Sequence, residues 1–235
     1  MKLGKIIQRF LSAYSKGVQS DDARLSERHI YNKIITTRGR LLSQQAKKRQ
    51  KISDWNYVVL PCVEVIDVGE HECPCLPQFN CKVKRTKHKL PKPLLNYDNH
   101  IIDWVLSLDN RVKFEEISRE AYRNIKGNRF TKDASYYIIE NGYLYFYGKI
   151  TPGALKIKLL PGDPLEAQNF PSFCDTEGCT DCTDCENQMD KDFPIEEDMI
   201  EVLIQMSMPE LIDMFNKNIE DKSNNTRDNP AEGSK

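Results

Sequence analysis

Four cysteines, Cys174, Cys179, Cys182 and Cys185, crowd into the stretch FCDTEGCTDCTDC. Sulfurs this close in sequence can wrap one tetrahedral zinc ion. The first three also match the C-x4-C-x2-C portion of plant-type iron–sulfur proteins. In those the fourth ligand is distant, whereas here it follows three residues later. A structural zinc usually joins two ligand pairs across a hairpin, and this run offers no second half. The interleaved Asp175, Glu177, Asp181 and Asp184 raise the thiol pKa values when no metal is present, and would welcome a cation. We read the run as free thiols, or as a disulfide made after release from the cell, with a zinc site on these four cysteines as the competing state. A loop this acidic is not expected to carry a core.

A second constellation, HECPCLPQFNC, places His71, Cys73, Cys75 and Cys81 together. Cys73 and Cys75 would point to one side of an extended chain stiffened by Pro74. With His71 and Cys81 they could form a Cys3His site, but the C-x-C spacing is tight for one. Small buried cysteines pinning an irregular loop onto a sheet is the reading adopted. Catalysis finds little support. The four histidines are His29, His71, His88 and His100, and no G-x-S-x-G, phosphate-cradling glycine loop or H-E-x-x-H is present. No catalytic residue is assigned, and the chain is read as not an enzyme. No cofactor is assigned either, zinc excepted as a candidate.

Charge is more informative. The total is −1, but Arg24, Arg28, Lys33, Arg38, Arg40, Lys47, Lys48, Arg49 and Lys51 face a single Glu27. Residues 82–92 add Lys82, Lys84, Arg85, Lys87, Lys89 and Lys92 without an acid, whereas residues 175–201 are strongly acidic. This polarity suits head-to-tail contact between copies, or a basic face on an acidic partner or on DNA. Phosphate contact needs only such charges, so nonspecific DNA binding is within reach. No apolar run approaches the roughly 20 residues that span a bilayer, so no membrane partner is expected. The start, MKLGKIIQRFLSAY, lacks the apolar core of a secretory signal. Eight cysteines without an export signal then imply synthesis in a reducing cytoplasm.

The elements that must position these residues follow from periodicity. Leu3, Ile6, Ile7, Phe10, Leu11 and Tyr14 keep helical spacing, which predicts a short amphipathic helix that docks in a protein groove. Tyr31, Ile34, Ile35, Leu41, Leu42 and Ala46 stripe a second helix running to about residue 51, with its cationic side outward. YVVLPCVEVIDV reads as a strand with Pro61 at an edge or bulge, and HIIDWVLSLDN as another. CKVKRTKHKLP reads as an exposed strand or arm. SYYIIENGYLYFYG is a hairpin about a type I′ Asn141-Gly142 turn, and ALKIKLL follows as a third strand of a β-meander with Leu155, Ile157 and Leu159 on one face. Helical periodicity resumes at Ile195, and Ser207-Met-Pro-Glu210 reads as a capping box that opens a further short helix. The fold class expected is α+β: a small antiparallel β-sheet domain with a long N-terminal helical arm and a C-terminal helical segment. The divisions are 1–54 helical arm, 55–161 sheet domain, 162–194 acidic cysteine-bearing loop, 195–219 C-terminal helices and 220–235 tail.

Three segments carry a family texture: SDDARLSERHIYNKIITTRGRLLSQQAKKRQKISDWNYVVLPCVEVI, HECPCLPQFNCKVKRTKHKLPKPL and YYIIENGYLYFYG. In that order they resemble the neck proteins of crAss-like and related tailed bacteriophages, over about residues 20–165. The resemblance implies a virion structural protein, made in the bacterial host cytoplasm and forming an adaptor ring beneath the portal in the head–tail connector. It implies a ring of about twelve copies following the portal, contact with portal and other neck or tail ring proteins, nonspecific contact with channel DNA, and no catalytic residues. It also implies that His71–Cys81 is a structural loop. Partner contacts are assigned to Arg24, Arg28, Tyr31, Arg38, Arg40, Tyr143 and Tyr145, cationic forks for carboxylates and half-exposed phenols. The competing class is a zinc-stabilised nucleic-acid-binding protein.

Overall fold

The apolar stripe at the start of the chain becomes helix α1 (Leu3–Tyr14), which buries Leu3, Ile6, Ile7 and Phe10. The computed structural model describes residues 1–15, 26–68, 83–97, 99–125, 134–148, 153–174 and 188–216. Helix α2 (Glu27–Lys47) opens on Ser26, whose hydroxyl oxygen accepts from the His29 N–H, and the chain leaves it through Arg49 at φ 55°. Its buried set is Ile30, Ile34, Thr37, Arg38 and Leu42. The helix therefore does not project as an arm. It packs with α1 and with the C-terminal part of the chain in one apolar core that includes Phe10, Ile34, Leu160, Phe193, Ile200 and Leu203.

Ten residues of alternating burial make β1 (Val58–Asp67), with a register shift between Leu60 and Val63 that places Pro61 at a bulge. There a missing N–H costs the ladder nothing. Next come β2 (Lys84–Thr86), the short pair β3 (Leu95–Asn96) and β4 (Asn99–His100), then β5 (Ile102–Ser107) and β6 (Lys113–Glu116). Helix α3 (Arg119–Ile125) leads to β7 (Ser135–Glu140), β8 (Tyr143–Tyr147) and β9 (Ala154–Leu159). Asn141 and Gly142 both take positive φ, 52° and 85°, as the predicted hairpin turn requires. In β9 the alternation is clean, with Leu155, Ile157 and Leu159 fully buried.

The expected small antiparallel sheet and its β7–β8–β9 meander are corrected here. The strands close into a seven-stranded barrel in the order β1-β2-β8-β7-β6-β5-β9. β8 pairs with β2, β9 lies between β1 and β5, and β6 with β7 is a parallel pair. Such a pair needs a crossover, and the chain between β6 and β7 that carries α3 supplies it. Closure leaves none of these strands with a bare edge. It also gives the inward residues Leu60, Val63, Val105, Phe114, Leu144 and Phe146 a shared interior. Phe114 and Phe146 meet edge to face at 5.4 Å between ring centres.

The C-terminal end is also corrected. Instead of two short helices, one helix, α5 (Glu197–Asn216), runs through Pro209. Ser207 does not cap a new helix. It is buried, and its hydroxyl donates to Thr37 Oγ1 at 3.0 Å across the α2–α5 contact. Burial of Ile200, Leu203 and Leu211 on both sides of the proline holds the helix together through the break in its ladder. Within the stretch expected to be loop, Asp163 caps a short helix α4 (Pro164–Gln168) by accepting from Leu165 N–H at 2.9 Å.

Candidate interaction surfaces

The residues assigned to partner contact separate sharply once placed. Arg38 is a correction: its side chain is fully buried and cannot meet a partner. Its Nη1 donates to the Pro161 carbonyl at 3.0 Å and its Nη2 to the Asn56 carbonyl at 2.8 Å, and its guanidinium lies 5.8 Å from the centre of the Phe193 ring. It thereby ties α2 to the end of β9 and to the segment before β1. Burial lowers its pKa to about 10, against the pull of Asp163. Tyr31 is half-buried, and its hydroxyl donates to Asp163 Oδ1 at 2.7 Å. Burial, then that bond, push the phenol well above the usual tyrosine range. Arg40 and Lys33 both pair with Glu210 of α5 in the same chain. Arg28 is exposed, and Arg24 lies outside the described residues.

The outer wall formed by β2 and β8 is different. β8 sends Leu144 and Phe146 inward and leaves Tyr143, Tyr145 and Tyr147 half-exposed outside. Arg85 lies over the Tyr143 ring at 4.1 Å and donates to the Thr86 carbonyl at 2.8 Å, while Lys89 Nζ is 5.9 Å from the same ring. Lys87 is paired to Glu64 at 2.7 Å, and Lys84 stands opposite Asp67 in the β1–β2 register. Lys89 and Lys92 are exposed and have no ion-pair partner among the described residues. The stretch read as an exposed strand or arm is, from Lys84 to Thr86, a barrel strand, with Lys84 on the inward face beside Phe146 and with Arg85 and Lys89 set against the outer tyrosines.

A second surface went unmarked in the sequence. Trp55, in a single 3-10 turn before β1, is 77 % exposed. It lines two adjoining cavities of about 380 and 310 Å3, both also lined by Met1 and Ile195. Glu196, Glu197 and Asp198, at the start of α5, edge the first cavity, and Asp192 borders the second. None of these four carboxylates has an ion pair among the described residues. On the barrel side, Lys158 of β9 bonds Asp54 at 2.8 Å and Asp103 of β5 at 2.9 Å. The Lys158 hydrogen bond holds the Asp54 carboxyl below its usual range, and the two carboxylates raise the Lys158 pKa.

The cysteine run is placed only at its start. Cys174 is joined by a disulfide to Cys62 of β1, with 5.8 Å between their Cα atoms, and the Phe173 N–H donates to the Cys62 carbonyl. A sulfur so bonded is not a thiolate and cannot ligate zinc in this state. Cys179, Cys182, Cys185 and the whole His71–Cys81 constellation lie outside the described residues. Among the described residues no cluster of three or more His, Cys, Asp or Glu side chains converges as a metal site. Likewise, none of their helices is long and apolar enough to cross a membrane. Cys62 was missed in the sequence because nothing local in VVLPCVEV marks it as a partner for a residue 112 positions away.

Comparison with known proteins gives the family. No curated protein matches the chain. The family described as phage tail ring protein 2 matches residues 5–230, nearly the whole length, and the chain therefore belongs to that family of ring-forming structural proteins of crAss-like phage.

Proposed function

We propose that this tail ring protein closes a ring of about twelve copies beneath the portal, linking the portal to the tail and surrounding the DNA that passes through. The observation that carries the reading is the separation of unlike surfaces on one subunit. An acidic, tryptophan-bearing groove flanks the β5–β9 side, and a basic, tyrosine-backed wall stands on β2 and β8. A ring needs a heterologous interface in which one patch meets a different patch on the next copy, and the subunit offers two. A two-fold dimer about either patch would bring like charges together, at a cost that grows as salt is removed. Lys47, Lys48, Arg49 and Lys51 at the end of α2 are exposed and make no salt bridge among the described residues, and suit loose contact with DNA phosphates. In this reading the protein acts by shape and charge, with no catalytic step and no cofactor.

Imaging of the assembled particle tests it. The expected result is rotational order near that of the portal around a central channel, with this chain in the neck below the portal. An isologous dimer as its sole assembled form would overturn the reading.

A further inference from the structure

The closed barrel fixes where the two surfaces lie relative to each other. In the order β1-β2-β8-β7-β6-β5-β9, the pair β5–β9 and the pair β2–β8 occupy opposite walls. The Trp55 groove belongs to the β5–β9 side, because Asp54, the neighbour of Trp55, is held by Lys158 of β9, which also binds Asp103 of β5. The basic wall is carried by β2 and β8. The two surfaces are thus carried by different parts of the subunit, and no ion pair joins them among the described residues.

Their chemistry matches. The groove has an apolar floor of Trp55, Met1 and Ile195 and a rim of Glu196, Glu197 and Asp198, with Asp192 beyond. The nearby cations are the terminal ammonium of Met1, Lys2, which pairs with Asp190 at 3.8 Å, Lys158, which is engaged by two aspartates, and Lys51, which acts on Asp54. The four rim carboxylates still outnumber the one of these cations left unengaged. An exposed indole between carboxylates favours a cation-bearing side chain, since the ring face attracts the ammonium while the carboxylates pair with it. The opposite wall presents Lys89 and Lys87, the latter partly countered by Glu64, with Tyr143 and Tyr145 to supply buried apolar area.

We infer that the Trp55 groove is the socket for the β2–β8 wall of an adjacent copy of this chain, with Lys89 and the neighbouring Lys87 set against Glu197 and Asp198 and with Tyr143 beside Trp55. The inference rests on the ring reading and gives it a specific joint. Because socket and plug lie on opposite walls, each copy passes the contact on in the same rotational sense. That geometry generates a ring where the rotation closes.

Zero-length carbodiimide cross-linking of particles, which joins a carboxylate to an amine only in direct contact, reads the joint. The expected products link Glu197 or Asp198 to Lys87 or Lys89 of a neighbouring copy. In parallel, Trp55→Ala removes an exposed ring, so the subunit keeps its fold by thermal melting while its incorporation into rings falls on the order of tenfold or more, the scale of losing one central aromatic anchor. Glu197→Lys with Asp198→Lys has the same effect, and adding Lys87→Glu with Lys89→Glu restores part of it. If imaging shows a ring but the links fall elsewhere and Trp55→Ala incorporates normally, the joint is wrong and the ring stands. Links from Glu197 to a different virion protein would also overturn the joint, by naming another occupant. If no ring is seen, the ring reading itself fails.

Discussion

The helical layer and the barrel of this protein treat charge in different ways. The layer of α1, α2 and α5 draws its core from residues 3–52 and 160–211 and takes charge inside: Arg38 is fully buried, and Lys33 and Arg40 are used on Glu210 of the same chain. The barrel draws its core from residues 60–159 and packs it with apolar side chains and the uncharged Thr86, while its one buried cation among the described residues, Arg85, is covered from outside by the Tyr143 ring. A run of basic residues is therefore not one kind of feature. On the centre of α2 it fastens two parts of one chain together, whereas just beyond β2 Lys89 is exposed and has no ion pair among the described residues.

The strongest way to break this comparison is to remove Arg38. Two charge-assisted bonds to the Pro161 and Asn56 carbonyls would be lost and both acceptors left buried. Arg38→Ala should therefore cost about 3–5 kcal/mol in chemical denaturation. A loss below about 1 kcal/mol, the range of an exposed pair, would show that the guanidinium is not the fastener. The barrel's counterpart is the covalent tie between β1 and the start of the acidic run. Reduction, or Cys62→Ser with Cys174→Ser, opens a loop spanning 112 residues and should cost about 2–5 kcal/mol. An unchanged denaturation midpoint under reductant would remove the disulfide from the account. This also revises the expectation that the run from Cys174 to Cys185 is dispensable for folding, since Cys174 is bound to a core strand.

Smaller changes sharpen the contrast. Glu210→Gln should lower stability by only about 0.5–1 kcal/mol, because its pairs with Lys33 and Arg40 are partly solvated. Lys89→Glu should move stability by no more than about 0.5 kcal/mol, since it is exposed on the open wall, yet should weaken assembly. Equal loss of stability in the two variants would erase the distinction between fastened and free cations. The smallest effect is a pH dependence at Asp54. Its folded pKa is depressed by Lys158, so the stabilisation is present above the ordinary aspartate value of about 3.9 and is lost as pH falls through the lower folded value. An Asp54 carboxyl that titrates at or above the ordinary value by NMR would contradict the bridge.

Helix α1 was legible almost to the residue because its stripe is complete within fourteen residues, and local periodicity is what sequence displays best. For the same reason the Asn141-Gly142 hairpin, the face of β9 and the bulge at Pro61 were readable. The α2 stripe was read only in part. Ile34 and Leu42 are buried as expected, but so is Arg38, which by residue type alone belongs outside. Of the candidate contact residues, Tyr143 and Tyr145 lie on an outer wall, whereas Tyr31 and Arg38 are committed to the chain's own Asp163, Pro161 and Asn56. Trp55 gave no signal, since one aromatic in a turn has no period.

By itself the sequence determined helix α1, most of α2, the β7–β8 hairpin and the buried face of β9, and that one stretch of the chain is basic and another acidic. Those properties depend on neighbours a few residues apart. Tertiary structure alone decided that the strands close on themselves, that β8 joins β2 instead of β9, that Cys62 meets Cys174, and which cations are used up inside the subunit. Each of these outcomes depends on pairing residues far apart in the chain. Such pairings are settled by the competition among whole packed arrangements, in which local pattern is common to winners and losers alike.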